Sequence, residues 1–152
     1  MTNPISQYMQ MRQQRCDRLF NDTETAVAAK QWDAASDYLE QFCDALEEHL
    51  AMEEEVLFPA FEAKTGLTTD VTGTMRAEHR EFRSLMRRLE DACTHRDSDA
   101  FLDHSSILGF MLEEHETKEE SGLYPLIDRA LSSRAAELIE TMRERAMEVD
   151  FS

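Results

Sequence analysis

One stretch occurs twice in this chain, in register. His49-Leu50-Ala51-Met52-Glu53-Glu54-Glu55-Val56-Leu57-Phe58-Pro59 and His115-Glu116-Thr117-Lys118-Glu119-Glu120-Ser121-Gly122-Leu123-Tyr124-Pro125 both read HxxxEExxL followed by an aromatic residue and proline. Each matched pair is 66 residues apart, from His49/His115 and Glu53/Glu119 to Leu57/Leu123 and Pro59/Pro125. Both copies set an imidazole and a carboxylate four residues apart, which on a helix puts them on one face about one turn apart. That nitrogen and oxygen pair suits a borderline or hard metal ion. A single such pair on an acidic helix says little. Two copies with the same trailing residues constrain the chain to a tandem of similar helical units.

The repeat extends upstream, where Met9/Met75, Gln13/His79, Cys16/Phe82 and Phe20/Met86 keep the same offset. Four stripes of inward residues follow, in alternating steps of four and three that mark bundle helices. Helix one, opened by Asn3-Pro4, carries Met9, Gln13, Cys16, Phe20, Thr23 and Val27. Helix two carries Ala35, Leu39, Phe42, Leu46, His49, Glu53 and Val56, leaving Glu47, Glu48 and Glu54 on an outer charged face. Pro59 is expected to bend or end that helix and Gly66 to stop it, with a loop over residues 67–72. Helix three, from about Thr74, carries Met75, His79, Phe82, Met86, Leu89 and Cys93. After a loop holding His95 and a cap at Ser98, helix four carries Phe101, His104, Leu108, Met111, His115 and Glu119. Gly122 and Pro125 are expected to close it. A final amphipathic segment, about 133–148, offers Ala135, Leu138, Ile139, Met142 and Ala146 as an apolar face for packing outside the bundle.

In an antiparallel hairpin, residues equally far from the turn share a level. Gln13 and His49 each lie 18 residues from a turn at 31, and His79 and His115 each lie 18 from a turn at 97. An up-down-up-down antiparallel four-helix bundle therefore brings Gln13, His49, His79 and His115 into one layer. Glu53 and Glu119 follow about 6 Å along the axis, at about 1.5 Å per residue. Buried carboxylates without a counter-charge are costly, and a pair of metal ions would satisfy them together with three imidazoles. His104, about 16 Å along the helix from His115, cannot reach the same ion and is expected to be a hydrogen-bonded interior histidine. His95 is expected to be solvated. Tyr8, one turn outside Gln13, is the only nearby phenol to consider, and packing is the simpler role for it.

Length, charge and cysteines bound the rest. The 152 residues suffice for one all-α domain spanning the chain, a bundle over about 4–121, a closing segment over 123–130 and the C-terminal helix. A formal charge of −16 disfavours nucleic acid and anionic membranes as partners. No apolar run approaches the roughly 20 residues of a spanning helix, and the start has no signal-peptide pattern. Cys16, Cys43 and Cys93, odd in number and without CxxC spacing, read as small buried thiols of a reducing cytoplasm.

His49xxxGlu53, Glu78-His79, His115xxxGlu119 and the Leu-Phe-Pro and Leu-Tyr-Pro closures together resemble the hemerythrin-like (HHE cation-binding) family over roughly residues 5 to 130. The resemblance implies a four-helix bundle around a non-haem di-iron centre. It makes Glu53 and Glu119 the bridging carboxylates, His79 and His115 terminal ligands of one iron, and His49 a ligand of the other. The family's first-helix histidine falls on Gln13, which would supply a weak amide oxygen, hold a water on the metal, or leave one well-bound ion. The half with Gln13 and His49 is therefore expected to hold metal less tightly. Long dioxygen-binding members carry a further third-helix histidine where this chain has Arg83, so reversible oxygen carriage is not expected. The implied roles are sensing of dioxygen, peroxide or nitric oxide, redox exchange, or iron handling. A di-iron oxidase or peroxidase and a metal-poor interaction module are the competing readings. Metal content separates the last from the others, and turnover with peroxide separates the first two.

Overall fold

The computed structural model describes the backbone of residues 4–66 and 71–151, and side chains of residues 5–66 and 71–146. Every element among them is helical: α1 (Pro4–Ala28), α2 (Trp32–Met52), a π turn (Glu53–Leu57), α3 (Phe58–Thr65), α4 (Val71–Thr94), α5 (Ser98–Lys118), a second π turn (Glu119–Leu123), α6 (Tyr124–Ala130), a 3-10 turn (Ser132–Arg134) and α7 (Ala135–Phe151). α1 pairs with α2 and α4 with α5, and the two pairs face each other through α1 against α5 and α2 against α4. The protein is an all-α bundle. No helix among the described residues is long and apolar enough to cross a membrane.

The repeat governs backbone as well as side chains. Lys30 and Arg96 both take the left-handed conformation, at φ 57° and 53°. The Gln31 amide donates to Ala26 and that of Lys30 to Val27; Asp97 and Arg96 do the same to Ala92 and Cys93. Both α1–α2 and α4–α5 turns are thus Schellman closures, which satisfy the last carbonyls of the preceding helix. The cap of α5 is Asp97, whose side chain accepts from the Ala100 amide, not Ser98.

Neither proline ends a helix. Proline lacks an N–H and its ring crowds the carbonyl four residues earlier. In each copy the chain widens into a π turn just before the proline and continues as α3 or α6. The wide turn also lets Glu53, Val56 and Leu57 all face inward. Gly66 does stop α3, at φ 74°, where a side chain would be strained. Of the expected loop, residues 67–70 lie outside the described residues, as does Asn3, and Val71 and Thr72 already belong to α4.

Two apolar clusters flank a polar layer. One gathers Ile5, Met9, Leu57, Phe58, Leu123 and Tyr124 with the apolar face of α7. The other gathers Cys16, Leu39, Phe42, Phe82, Leu89 and Leu108. α7 packs on α1, α2 and the first π turn. Arg145 to Glu55 at 2.7 Å and Arg143 over the Tyr8 ring at 5.6 Å tie it there. Tyr8 is accordingly a core residue. The buried face of α5 is Phe101, Ser105, Leu108, Leu112 and His115, so His104 and Met111 leave the expected stripe. His104 instead lines a surface groove with Arg87, Arg88 and His95, and its Nδ1 has no hydrogen-bond partner among the described residues. The three cysteines are free, Cys43 only half-buried, and burial pushes the thiols of Cys16 and Cys43 up to about 12.

Candidate metal centre

The polar layer is assembled from four helices and two wide turns. Gln13 comes from α1, His49 from α2, His79 from α4 and His115 from α5, and Glu53 and Glu119 are the first residues of the π turns. All six are buried, and both carboxylates have 0% exposure. Two overlapping groups could hold a metal ion: Glu53, His79 and His115, and His49, Glu53 and Glu119. Within each, one ligand atom per residue lies within 4.8 Å of the others. Glu53 is common to both. Glu119 groups with His49, although its Oε2 is 3.3 Å from His115 Nε2.

The inward edges carry unpaired polar atoms. His79 Nε2 lies 3.2 Å from Glu53 Oε1, and none of Glu53 Oε1, His79 Nε2, His115 Nε2 or Glu119 Oε2 has a hydrogen-bond partner among the described residues. Each buried polar atom left unpaired costs about 1–3 kcal/mol. Four that converge between two carboxylates and two imidazoles are what a cation would satisfy, so the donor set fits a metal.

The outward edges are held. His79 Nδ1 meets Glu54 Oε2 and His115 Nδ1 meets Glu78 Oε1, both at 2.6 Å. A carboxylate on Nδ1 keeps the proton there, fixes the ring and leaves the Nε2 lone pair facing inward. Arg83 clamps Glu54 in turn at 2.9 and 3.1 Å, and Lys118 holds Glu78 at 2.7 Å. Glu54 is therefore no bystander on the outer face, and neither is Glu48, which is buried against Arg12. Burial would raise the carboxyls of Glu54 and Glu78, but hydrogen bonds from Arg83 or Lys118 and from the histidines outweigh it and hold both low.

Gln13 stands in the layer as expected, but it uses its amide nitrogen, donating from Nε2 to Glu119 Oε1 at 2.8 Å. Its Oε1 is buried without a partner among the described residues. Burial lowers the His49 imidazole to about 4 and also lowers His115. Burial, and then the charge of Glu53, raises Glu119 well above the usual carboxyl range. For Glu53 burial is outweighed by the close approach of Glu119 and of the His79 and His49 imidazoles, and its carboxyl is lowered. The two carboxyls are thus pushed in opposite directions, Glu119 towards its neutral form and Glu53 towards its charged one.

Sequence reasoning missed one group inside the layer. The Tyr124 hydroxyl donates to Glu53 Oε2 at 3.2 Å and lies 3.5 Å from His49 Nε2. The signal was available: the repeat aligns Tyr124 with Phe58, an exchange that adds one oxygen. Glu54 and Glu78 were visible in the motifs, but not their pairing with the histidines of other helices. His95 is exposed in its turn, as expected.

The model of the hemerythrin HHE cation-binding domain matches residues 5–127. No curated protein and no solved structure gives a significant match. The matched segment contains both copies of the repeat and every residue of the buried layer, and the chain belongs to the hemerythrin HHE cation-binding domain family.

Proposed function

We propose that the protein is a hemerythrin-like non-haem iron protein. Its two ions are held by His79, His115 and Glu53 on one side and by His49, Glu53 and Glu119 on the other. The observation that carries this reading is the pair of overlapping ligand groups sharing Glu53, with the two imidazoles of one group already fixed through Nδ1. Three imidazole and two carboxylate donors without thiolate suit iron among the transition metals. Bound iron supplies redox chemistry and affinity for small oxygen or nitrogen ligands.

The surroundings support a small ligand. The cavity beside Gln13, His49, Leu50, Phe82 and His115 measures about 10 Å³, at the lower limit for a single water. Dioxygen, peroxide or nitric oxide needs little more room, whereas an organic substrate would require the helices to part. The larger grooves lie on the surface near the α1–α2 and α4–α5 turns. The function proposed is sensing or redox handling of such small molecules, or iron handling, in the cytoplasm. The −16 charge speaks against nucleic acid and anionic lipid as partners.

Iron per chain after dialysis against a mild chelator tests this. His79→Ala and His115→Ala should each lose most of the iron, while His104→Ala and His95→Ala should retain the wild-type amount. Equal loss from all four would assign the effect to destabilisation. A wild-type protein that retains no iron would sink the reading in favour of a metal-poor interaction module.

A further inference from the structure

The two halves of the layer come from the two copies of the repeat, and they are not equal. The offset that relates His49 to His115 and Glu53 to Glu119 also pairs Gln13 with His79, Arg12 with Glu78, and Tyr124 with Phe58. In the second copy's half each imidazole is complete. Glu54 and Glu78 hold the two Nδ1 atoms, and Phe58 stacks on His79 with ring centroids 5.8 Å apart at 21°.

Three of those positions differ together in the other half. Gln13 offers an amide where the repeat has an imidazole. Arg12, in place of Glu78, turns to Glu48, and His49 Nδ1 is left without a partner among the described residues. Tyr124, in place of Phe58, brings a hydroxyl into the layer on Glu53 and His49.

The position of that oxygen is specific. Tyr124 is fully buried, and a hydroxyl placed at random in a core would meet apolar neighbours and cost stability. This one meets two of the three residues of the second ligand group, Glu53 and His49. Its separations of 3.2 Å from Glu53 Oε2 and 3.5 Å from His49 Nε2 fall within the 4.8 Å that relates the ligand atoms of that group to one another. Tyrosine oxygen is an established type of iron ligand.

We propose that Tyr124 completes the His49 half of the centre, its phenolate oxygen taking the place of the nitrogen that Gln13 does not supply. The loss at position 13 and the gain at position 124 are then one compensated exchange of ligand. Coordination replaces the phenolic proton, donated to Glu53 when no metal is bound, by the ferric ion, and the proton leaves to solvent. The proposal rests on the reading that the layer binds two irons.

The test loads the full chain from ferric citrate and reads three things. These are iron retained after dialysis, visible absorption, and tyrosinate ring vibrations enhanced in resonance Raman spectra. Wild type should retain two irons and show a visible tyrosinate-to-iron band. Tyr124→Phe, which places at 124 the residue the repeat carries at 58, should lose the band and one iron while keeping its helical circular dichroism. Gln13→His combined with Tyr124→Phe gives this half the residues of the other at two of the three differing positions, and should regain the second iron without the band. Two irons retained by Tyr124→Phe, or a wild type with two irons and no tyrosinate signature, overturns the ligand assignment and leaves the metal centre standing. A wild type that retains no iron overturns both.

Discussion

Replacing Glu119 by glutamine should separate a ligand from a structural carboxyl, because the two roles give opposite signs. In the metal-free protein Glu119 is fully buried, and burial and the charge of Glu53 raise its carboxyl well above the usual range, which favours its neutral form. A glutamine amide is neutral and of the same shape. Its oxygen still accepts from Gln13 Nε2, and its NH2 can turn towards Glu53, whose ligand oxygen lies within 4.8 Å. The metal-free variant should therefore unfold within about 1 kcal/mol of wild type, the range of a substitution that breaks no buried pairing. Metal changes the comparison. A site filled at about 100 times its dissociation constant adds about 2.7 kcal/mol, or about 5–10 °C in Tm for a domain of this size. Wild-type Glu119 gives up its proton and lends an anionic oxygen to that interaction, which glutamine cannot do. Thermal unfolding with and without ferrous iron, under anaerobic conditions, reads both numbers. The expected result is an unchanged metal-free Tm and a metal-induced rise cut by more than half. A variant that melts several degrees lower without metal, yet keeps the full rise with it, would show that Glu119 is a packing residue and that the reasoning is wrong.

Glu54→Gln and Glu78→Gln each keep an acceptor on a histidine Nδ1 but remove its charge. Metal affinity should fall about 10–100-fold, as for other carboxylates behind ligand histidines, and a chelator competition showing wild-type affinity in both would refute the role. The metal-free protein should also lose stability as pH falls from 6.5 towards 4. In that window the unfolded chain protonates at His49 while the folded one, lowered to about 4, does not. The loss approaches about 3 kcal/mol at about 1.4 kcal/mol per unit. Glu119 acts with the opposite sign, because its raised carboxyl holds a proton in the fold that the unfolded chain releases as pH rises. Urea midpoints across that range for wild type and His49→Gln check the first effect, since the variant's profile should be flatter, and identical profiles would contradict it.

The inward faces and the shared layer were legible in the sequence because both depend on local periods. Gln13, His49, His79 and His115 are level because equal numbers of residues separate them from two turns, and those turns have the same geometry, Lys30 matching Arg96. Legibility stops where the helix departs from regularity. The π turns keep Val56 and Leu57 both inward and carry the chain past Pro59 and Pro125, so the expected helix ends there do not occur. On α5, Phe101, Leu108 and Leu112 centre the buried face. His104 falls off one edge of it, and the smaller Ser105 turns in on the other, its hydroxyl donating to Glu24.

The sequence by itself determined that Gln13, His49, Glu53, His79, His115 and Glu119 face the interior and at what height, since a face follows from spacing along one helix. Only the tertiary structure decided what completes each of them: Glu54 of one copy behind His79 of the other, Glu78 behind His115, Arg12 drawn away to Glu48, and the Tyr124 hydroxyl set on Glu53 and His49. The histidine and tyrosine pairings join different parts of the bundle over 2.6–3.5 Å. They depend on how far apart and at what rotation the helices pack, which the period along any one of them does not specify.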